Sequence, residues 1–543
     1  MGYFWLSLAE NFHQKNAGIM RNHQILATLI TFFMSLSIGQ IGANQPEKRP
    51  NILFIMSDDH AENAISAYGS NLIQTPNIDR LADEGMRFEN SFVTNSICGP
   101  SRAVLLTGKF SHLNGLRDNR DRFDSTQTTF PKLLQNAGYY TAMIGKWHLK
   151  SAPTGFDNWE VLVGQGRYYN PIFIVNGERK ELTGYTTDII TEKAIAALDN
   201  RDPDKPFCML VHHKAPHRNW MPDTKYLEKF NQDLPYPETL FDDYAGRSAA
   251  AEADMRISDM YLSYDMKLHP GDYETETGSG GNTKFAENIV EIWKSTYELF
   301  TPDQKAAWDA HYDSVNAAFR DANLSGEALL KWKYQRYMKD YLRCVLSVDD
   351  GVGKLLDYLD AHDLAKNTIV VYTSDQGFYL GEHGWYDKRF MYEPSLSMPL
   401  LIRFPREIAP GSVNTDLVQN LDFAPTFLDL ANTDIPDDMQ GQSLKPLFSG
   451  QSVADWRTAI YYHYYEYPHG WHDVRKHYGI RTDRYKLIHF YDAPDTWELF
   501  DLQSDPNEMH NIFDDPNSVS IREQLGNELT ALQKKYADPV DQH

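Results

Sequence analysis

The sequence has little cysteine: three residues in a chain of 543, an odd number that excludes a framework of disulfide bridges. It also lacks an excess of basic residues. The 52 Lys and Arg are outnumbered by 75 Asp and Glu, and the net charge of −23 argues against a general nucleic-acid or membrane-surface binder. An anionic substrate is not excluded, because a local cluster of bases can outweigh a more distant acidic surface at physiological ionic strength.

Long apolar runs are scarce as well. The one candidate, ILATLITFFMSLSIG, follows the basic stretch MRNHQ that begins at Met20 and precedes small residues near Ala43, which is the arrangement of an export signal. The run is short for a membrane span, and no later segment approaches the required length of about 20 residues. We therefore expect residues 1–43 to form an N-terminal extension and a signal peptide, and the protein to be periplasmic or secreted with no stable membrane span. An uncleaved anchor is the alternative.

The rest of the chain alternates amphipathic helices with apolar strands. Strand-like runs such as NILFIMS, PFCMLVHH and NTIVVYTS are too apolar to face water, which predicts an α/β fold with a mainly parallel sheet sandwiched by helices. The pattern loosens at about 223–340, which we interpret as an insertion in a main domain spanning 50–452. Short aromatic strands such as TAIYYHYYEY then predict a smaller antiparallel sheet in a C-terminal subdomain, residues 453–543.

Oxygen-bearing side chains follow two of these strands. Asp58 and Asp59 end the first strand, and Asp375 and Gln376 end a later one. The carboxyl ends of parallel strands meet at one edge of a sheet, where open α/β folds bind ligands. Carboxylates with an amide carbonyl suit Ca²⁺ or Mg²⁺, whereas zinc prefers His or Cys. A pair of solvated turns is the alternative interpretation, since Asp is common after a strand.

One of the three cysteines, Cys98, stands apart from the others. Cys208 and Cys344 lie in apolar patterns and are expected to be buried small hydrophobic residues. Cys98 instead opens CGPSRAVLLTG, in which glycine and proline force a tight entry into a predicted helix. The first turn of that helix would direct backbone N–H groups, together with Arg102, toward residue 98. A cysteine nucleophile with a lowered thiol pKa is the direct interpretation.

The full string C-x-P-S-R-x-x-x-L-T-G, from Cys98 to Gly108, resembles the signature of the type I sulfatases. The resemblance extends over roughly residues 51–511 and implies an alkaline-phosphatase-like fold, with residues 50–452 as the catalytic domain. In that family a maturation enzyme oxidises the signature cysteine to formylglycine, which is hydrated to a geminal diol. One diol oxygen attacks sulfur, and the other later loses its proton, which re-forms the aldehyde and expels inorganic sulfate. The resemblance thus implies that Cys98 is the precursor of the nucleophile.

The resemblance also implies roles for residues elsewhere in the chain. SDDH and SDQG look like the family's site for one Ca²⁺ ion, with Gln376 where many members have Asn. GKWHL resembles the family's Lys-x-His pair, KAPHRNW supplies a histidine that binds sulfate and protonates the leaving alcohol, and YDKRF supplies another sulfate-binding lysine. The implied catalytic residues are Cys98, Arg102, Lys146, His148, His217 and Lys388, and the implied metal ligands are Asp58, Asp59, Asp375 and Gln376.

Segments beyond these motifs resemble bacterial sulfatases that act on sulfated glycans, in particular the N-acetylglucosamine-6-sulfatase-like group. The expected partners are therefore a sulfated carbohydrate substrate and a formylglycine-generating maturation enzyme. The candidate sugar contacts are Arg167, Trp471, His477 and Arg481. Two alternatives remain open at this point: a phosphate or phosphonate monoester hydrolase of the same superfamily, and a non-catalytic glycan-binding protein whose Cys98 stays unmodified.

Overall fold

The computed structural model describes residues 48–274, 276, 283–469 and 472–539. The expected extension and signal peptide, residues 1–43, lie outside the described residues. Within the described ranges, no helix combines the length and the apolar character that crossing a bilayer requires.

Sixteen strands occur in the described residues, most of them short. They are β1 (Asn51–Ser57), β2 (Met86–Phe88), β3 (Ser91–Phe92), β4 (Tyr140–Gly145), β5 (Asn158–Leu162), β6 (Ile172–Val175), β7 (Glu178–Glu181), β8 (Phe207–His212), β9 (Thr368–Ser374), β10 (Leu400–Arg403), β11 (Ser412–Asn414), β12 (Val418–Gln419), β13 (Ala459–Tyr464), β14 (His477–Thr482), β15 (Tyr485–Phe490) and β16 (Thr496–Asp501).

Ten of these strands form one sheet, in the order β11-β2-β10-β9-β1-β8-β4-β5-β6-β7. The central strands β9, β1, β8, β4 and β5 run parallel to one another, whereas β10 and β6 pair antiparallel with the outer two of these five strands. Every residue of β1, β8 and β9 is buried, as expected for strands that are covered on both faces. The prediction of a mainly parallel sheet is confirmed.

The central strand β1 shows how the two faces of the sheet are packed. Its side chains alternate between two large apolar clusters: Ile52, Phe54 and Met56 belong to one cluster, and Leu53 and Ile55 to the other. This alternation follows from the period of two residues along a strand. The sheet therefore has a hydrophobic core on each side.

Twelve α-helices occur in the described residues, and they cover both faces of the sheet. They are α1 (Pro76–Asp83), α2 (Cys98–Thr107), α3 (Ser111–Asn114), α4 (Phe130–Asn136), α5 (Thr186–Asp199), α6 (Ser248–Glu252), α7 (Thr283–Glu298), α8 (Pro302–Ala322), α9 (Gly326–Ala361), α10 (Glu393–Leu396), α11 (Phe423–Leu430) and α12 (Val519–Lys535). Helices α2, α4 and α11 contribute to one apolar cluster, and α1, α5 and α9 to the other.

Two regions of the chain lie outside the alternation of helices and strands that builds the large sheet. Residues 223–340 contain α6, α7, α8 and the first turns of α9 and add no strand to the sheet in the part that the structure describes. Strands β13 to β16 form a separate antiparallel sheet in sequential order, which confirms the predicted C-terminal sheet. Cys208 in β8 and Cys344 in α9 are both fully buried, as expected.

Candidate active site

The pairing of β1 with β9 fixes where the expected metal ligands emerge. The last residues of these two parallel strands are opposite one another in register, so Asp58 and Asp59 leave the sheet beside Asp375 and Gln376. One oxygen from each of the three carboxylates lies within 4.8 Å of the others, and all three residues are buried. The sheet thus brings the four residues together, as the sequence predicted.

The chemistry of this cluster fits a hard divalent cation. Burial, and then the neighbouring carboxylates, raise the pKa of Asp59 to about 7 and that of Asp375 to about 6. The amide of Gln376 donates to Asp59, while its carbonyl oxygen Oε1 is buried without a hydrogen-bond partner among the described residues. Three crowded carboxylates and one free carbonyl oxygen are the ligands that Ca²⁺ prefers.

Two buried lysines also contact the acidic cluster. Lys146 follows β4, and its Nζ donates to Asp58. Lys388 donates from Nζ to both carboxylate oxygens of Asp59, at 2.6 and 2.7 Å. Although burial opposes the charge of Asp58, Lys146 and other neighbouring cations hold the pKa of that carboxyl well below its usual value. The site therefore contains closely spaced charges of both signs.

Helix α2 begins at Cys98 and points its first turn at this cluster. The Cys98 Sγ lies 3.4 Å from Oδ1 of Asp58. One turn later, Arg102 donates to Oδ2 of Asp375 from Nε at 3.1 Å and from Nη2 at 2.8 Å. Its Nη1 donates to the backbone carbonyl of Lys146 at 2.8 Å. The predicted strand, turn and helix around residue 98 are confirmed, and they place the side chain beside the strand ends.

The surroundings of Cys98 do not favour a thiolate. Only 1% of the residue is exposed. Burial, followed by the negative charge of Asp58, raises the pKa of the thiol above its ordinary value, despite the opposing effect of the two lysines. An unmodified cysteine is therefore protonated at neutral pH, which argues against the interpretation of Cys98 as a direct thiolate nucleophile.

A glycine at the end of β4 allows Lys146 to reach the site. Gly145 has a φ of +106°, and a Cβ there would overlap the backbone carbonyl oxygen of His212 on β8. The N–H of Lys146 donates to that same carbonyl at 2.8 Å. Because any larger residue would push the two strands apart, glycine is required at this position.

Two histidines complete the set of expected catalytic residues. The Nδ1 of His148 is buried and has no hydrogen-bond partner among the described residues, and burial lowers the pKa of the ring well below its usual value. His217 donates from Nδ1 to the carbonyl of Arg218 at 2.6 Å, while its Nε2 lies 3.8 Å from Oδ2 of Asp59. Burial lowers the pKa of His217 as well. Each ring thus has a nitrogen that forms no hydrogen bond with the described residues.

These side chains border a cavity of about 480 Å³, which we call the main cavity. Four of the expected catalytic residues line it, namely Cys98, His148, His217 and Lys388. Its polar lining also includes residues that the sequence did not single out: Asn119, Arg120, Gln165, Arg218, Tyr264, Asp387, Arg389, Glu466, His469 and His472. For some of these residues the sequence signal was a position next to Lys388, His217 or Trp471, whereas the others come from separate loops that only the fold brings together.

The four candidate sugar contacts are distributed differently. Arg167 lines a smaller cavity of about 140 Å³ that adjoins the main cavity. Trp471 lies outside the described residues. The structure does not bring His477 and Arg481 to either cavity.

His477 and Arg481 are occupied within the C-terminal sheet. His477 is fully buried, accepts from the N–H of Met391 at Nε2 and donates from Nδ1 to the carbonyl of Arg475. Arg481 pairs with Glu393 at 3.2 Å and covers the ring of Phe92. We expected both to line a sugar subsite, but the alternation of β14 points them into the packing between the sheet and the main domain.

Comparisons with known proteins agree with this arrangement. Residues 50–433 match the Sulfatase family model, and residues 381–535 match the model of the C-terminal part of N-sulphoglucosamine sulphohydrolase. An N-acetylglucosamine-6-O-sulfatase of Bacteroides thetaiotaomicron is 50% identical over 522 residues, which cover 94% of this chain and 91% of that protein. The human N-acetylglucosamine-6-sulfatase is 26% identical over 463 residues, which cover 80% and 71% of the two chains.

Solved structures give the same result. One, described as a complex with its substrate D-glucosamine-2-N,6-O-disulfate, superposes with a TM-score of 0.86 at 51% identity and covers 91% of this chain and 99% of that chain. A phosphonate monoester hydrolase of Agrobacterium radiobacter has a TM-score of 0.63 at 18% identity, covering 90% and 96%, and shares the fold alone. The extent of the family match and the half-identical relative establish that the chain belongs to the sulfatase family and is a sulfuric ester hydrolase.

Proposed function

We propose that this sulfatase removes the 6-O-sulfate from glucosamine-type residues of a sulfated glycan. The observation that carries the proposal is the position of Cys98, which lies buried at the start of α2 close to Asp58, Arg102, Lys146 and Lys388. The choice of sugar is supported by the relatives: the half-identical protein is an N-acetylglucosamine-6-O-sulfatase, and the similar solved structure holds a 6-O-sulfated glucosamine.

We further propose that a maturation enzyme converts Cys98 to formylglycine. Hydrated, this group supplies a diol whose one oxygen attacks sulfur and whose other oxygen allows sulfate to leave. A plain cysteine at this position is protonated and would retain the transferred group. The raised pKa of the Cys98 thiol and its 1% exposure support a modified residue over an unmodified one.

One Ca²⁺ ion is the proposed metal, held by Asp58, Asp59, Asp375 and Oε1 of Gln376. A bound divalent cation supplies charge that stabilises an anionic sulfuryl group. The support is the donor set itself: three buried carboxylates within 4.8 Å and an amide oxygen that has no hydrogen-bond partner in the described part of the chain.

The surrounding bases have distinct proposed tasks. Arg102, anchored on Asp375, orients the side chain at position 98. Lys146 and Lys388 contact sulfate oxygens and offset the charge that moves toward the bridging oxygen during S–O cleavage. Because the Arg218 carbonyl accepts the Nδ1 proton of His217, Nε2 is the atom that can deliver a proton to the leaving alcohol. We assign His148, with its free Nδ1, to hold the group at position 98.

The decisive experiment measures sulfate release from N-acetylglucosamine carrying a single sulfate at O6, O4 or O3, with the matured protein and with Cys98→Ala. We expect turnover of the 6-O-sulfate by the native protein and a loss of at least about a thousandfold in Cys98→Ala. Peptide mass spectrometry of the native protein should show residue 98 lighter than cysteine by about 18 Da. Equal turnover by the two proteins, or a preference for another sulfate position, would contradict the proposal.

We also propose that the protein is exported, on the basis of the apolar run Ile25–Gly39 and its basic flank. A periplasmic or secreted location would give the enzyme access to extracellular glycans. N-terminal sequencing of protein recovered from the periplasm or medium should find a start near Ala43. Recovery of the full-length chain from the cytoplasm alone would refute export.

A further inference from the structure

A second cavity adjoins the main cavity and has a different electrostatic character. This side cavity, of about 140 Å³, shares five lining residues with the main cavity, and His217 is one of them. Its lining contains three cationic side chains, Arg167, Lys214 and Arg218, and no aspartate or glutamate. The side cavity is therefore a positively charged extension that begins at the proposed acid of the reaction.

Lys214 is the unusual residue in this lining. It is 4% exposed, and its Nζ forms no ion pair with any described residue. Its polar contact is a long one, 3.5 Å to the Arg218 carbonyl, and its charge also lies 4.7 Å above the ring of Tyr168. A buried ammonium without an anionic partner is costly, so a ligand that supplies the anion is stabilised there. Burial, and then Lys146, lower the pKa of Lys214 to about 8, which leaves it mostly charged at neutral pH.

The other two cationic residues of the side cavity, Arg218 and Arg167, differ in whether a carboxylate neutralises their charge. Arg218 is fully paired, donating to both oxygens of Asp265 at 2.7 Å. Arg167 is exposed and has no ion pair among the described residues. The positive charge that is available to a ligand in the side cavity therefore comes from Lys214 and Arg167.

A further polar group at the boundary lacks a partner. Gln165 lines both cavities, and its Oε1 is buried with no hydrogen-bond partner in the described part of the chain. The side cavity thus combines two unpaired cations with an unsatisfied acceptor, which suits a ligand group that carries an anion next to an N–H or O–H donor. Acidic amino sugars and uronic acids present such groups on adjacent atoms.

We propose that the side cavity binds a second acidic group of the glycan, held by Lys214 and Arg167 while the scissile sulfate occupies the main cavity. The inference rests on the proposed function, since it assumes a glycan in the main cavity. The acidic group is either a sulfamate on the same sugar or the carboxylate of a neighbouring uronic acid, and both offer the same chemistry to these two side chains. The site makes the enzyme selective for doubly acidic substrates.

The test compares selectivity across three substrates: N-acetylglucosamine-6-O-sulfate, glucosamine-2-N,6-O-disulfate and a uronic acid-containing disaccharide of N-acetylglucosamine-6-O-sulfate. For each protein, kcat/KM is measured by sulfate release. The native enzyme should favour at least one doubly acidic substrate over the first by about tenfold or more. Lys214→Met and Arg167→Gln should each reduce that ratio by about tenfold, which corresponds to about 1.4 kcal/mol. If the variants lose the preference for the disulfated glucosamine, the bound group is the sulfamate; if they lose the preference for the disaccharide, it is the carboxylate.

Lys205→Met serves as the matched control, because Lys205 is exposed and lines neither cavity; its selectivity ratio should equal that of the native enzyme. Because Arg167 is exposed, Arg167→Gln is not expected to disturb folding, so a change in its selectivity ratio reflects binding. For the buried Lys214, thermal unfolding of Lys214→Met shows whether the variant is still folded. A native ratio near one, or a ratio unchanged in both variants, would overturn the side-cavity assignment while sulfatase activity on O6 persists. Failure of the native enzyme to release sulfate from any of the three would instead overturn the proposed function.

Discussion

At the scale of single residues, Gln376 is a predicted metal ligand at which the sequence has a glutamine in place of the asparagine that the resemblance to the family led us to expect. The longer side chain keeps the amide carbonyl, and Oε1 is the buried oxygen that no described residue satisfies. Its Nε2 donates to Asp59, which fixes the direction of the amide. A substitution of Gln376 by leucine, which is similar in size, removes the proposed ligand oxygen and keeps the three carboxylates. This substitution therefore tests whether the acidic cluster is a metal site.

We predict that Gln376→Leu weakens Ca²⁺ binding without abolishing folding. In the native protein, Ca²⁺ at a hundred times its Kd should raise the free energy of unfolding by about 2.7 kcal/mol. The variant should show a clearly smaller rise at the same Ca²⁺ concentration, measured by thermal unfolding with and without chelator. Gln376→Asn, which restores an amide oxygen on a shorter side chain, should recover part of the response. A full native response in Gln376→Leu would remove Gln376 from the metal site.

Some residues of the site could be predicted from the sequence because they lie in recognisable motifs, and others could not. Asp58, Cys98 and Lys388 lie in short motifs whose spacing carries chemistry, and the fold brings them together at strand ends. Glu466 follows β13 and lies in no motif that indicates a position at the main cavity, whereas His472 is next in sequence to the candidate sugar contact Trp471. Such positions depend on how one sheet packs on another, which a single sequence does not specify.

At the scale of elements, the long helix α9 begins in the insertion and continues into the main domain, where its apolar side chains join the cluster on one face of the sheet. Asp340, fully buried on α9, accepts from Lys267 at 2.8 Å, from the hydroxyl of Tyr312 at 2.8 Å and from Arg343 at 3.0 Å. Lys267 and Tyr312 belong to the insertion. Burial opposes the charge of Asp340, yet Lys267 and the nearby arginines lower its pKa to about 2. Its stabilising charge is thus present at neutral pH and is lost as the pH falls from about 4 toward 2.

We predict that Asp340→Asn lowers the free energy of unfolding by about 3–5 kcal/mol, because it leaves Lys267 and Arg343 buried without their carboxylate. Urea unfolding followed by circular dichroism measures the loss. Asp360→Asn is the matched control: Asp360 lies on the same helix and pairs with Arg80 at 2.9 Å, but it is about half exposed. That variant should lose less than about 1 kcal/mol. Equal losses in the two variants would show that Asp340 is no more important than a surface ion pair.

The elements themselves were largely predictable. Strands β1, β8 and β9 are continuous apolar runs, and α2 starts where glycine and proline follow Cys98, so local pattern was sufficient. The outer strands of the large sheet, several of which pair antiparallel, were not predicted. Strand β7, for example, has the sequence ERKE and is exposed throughout, so it carries no hydrophobic periodicity, and its strand state depends on pairing with β6.

At the scale of the whole molecule, the C-terminal sheet and the main domain share their interior. Tyr462 on β13 and Phe500 on β16 belong to the same apolar cluster as Phe54 at the centre of the large sheet. Between them, the buried Lys486 donates to Glu508 at 2.6 Å and pairs with Glu393 of the main domain at 2.8 Å. The described residues from 49 onward accordingly form one compact unit.

We predict that a chain ending at residue 452 does not fold on its own. Removing the C-terminal sheet would expose part of the shared apolar cluster and leave Glu393 without Lys486, so the protein should accumulate in aggregates. Expression of residues 49–452 and 49–539, followed by measurement of the soluble fraction and size-exclusion chromatography, makes the comparison. The longer chain should be soluble and monodisperse. A soluble, cooperatively unfolding 49–452 would instead show that the main domain is self-sufficient.

The burial of Cys98 also has a consequence for how active molecules arise. With 1% of its surface exposed, the residue is out of reach of another protein once α2 has docked against the strand ends. For the proposed conversion of Cys98 to formylglycine, this burial implies that the maturation enzyme would have to act before α2 docks, so that oxidation and folding would compete in time. Under that proposal, a chain that folds before oxidation would remain inactive during later incubation with the enzyme, and the specific activity of a preparation would report the fraction of chains oxidised before folding.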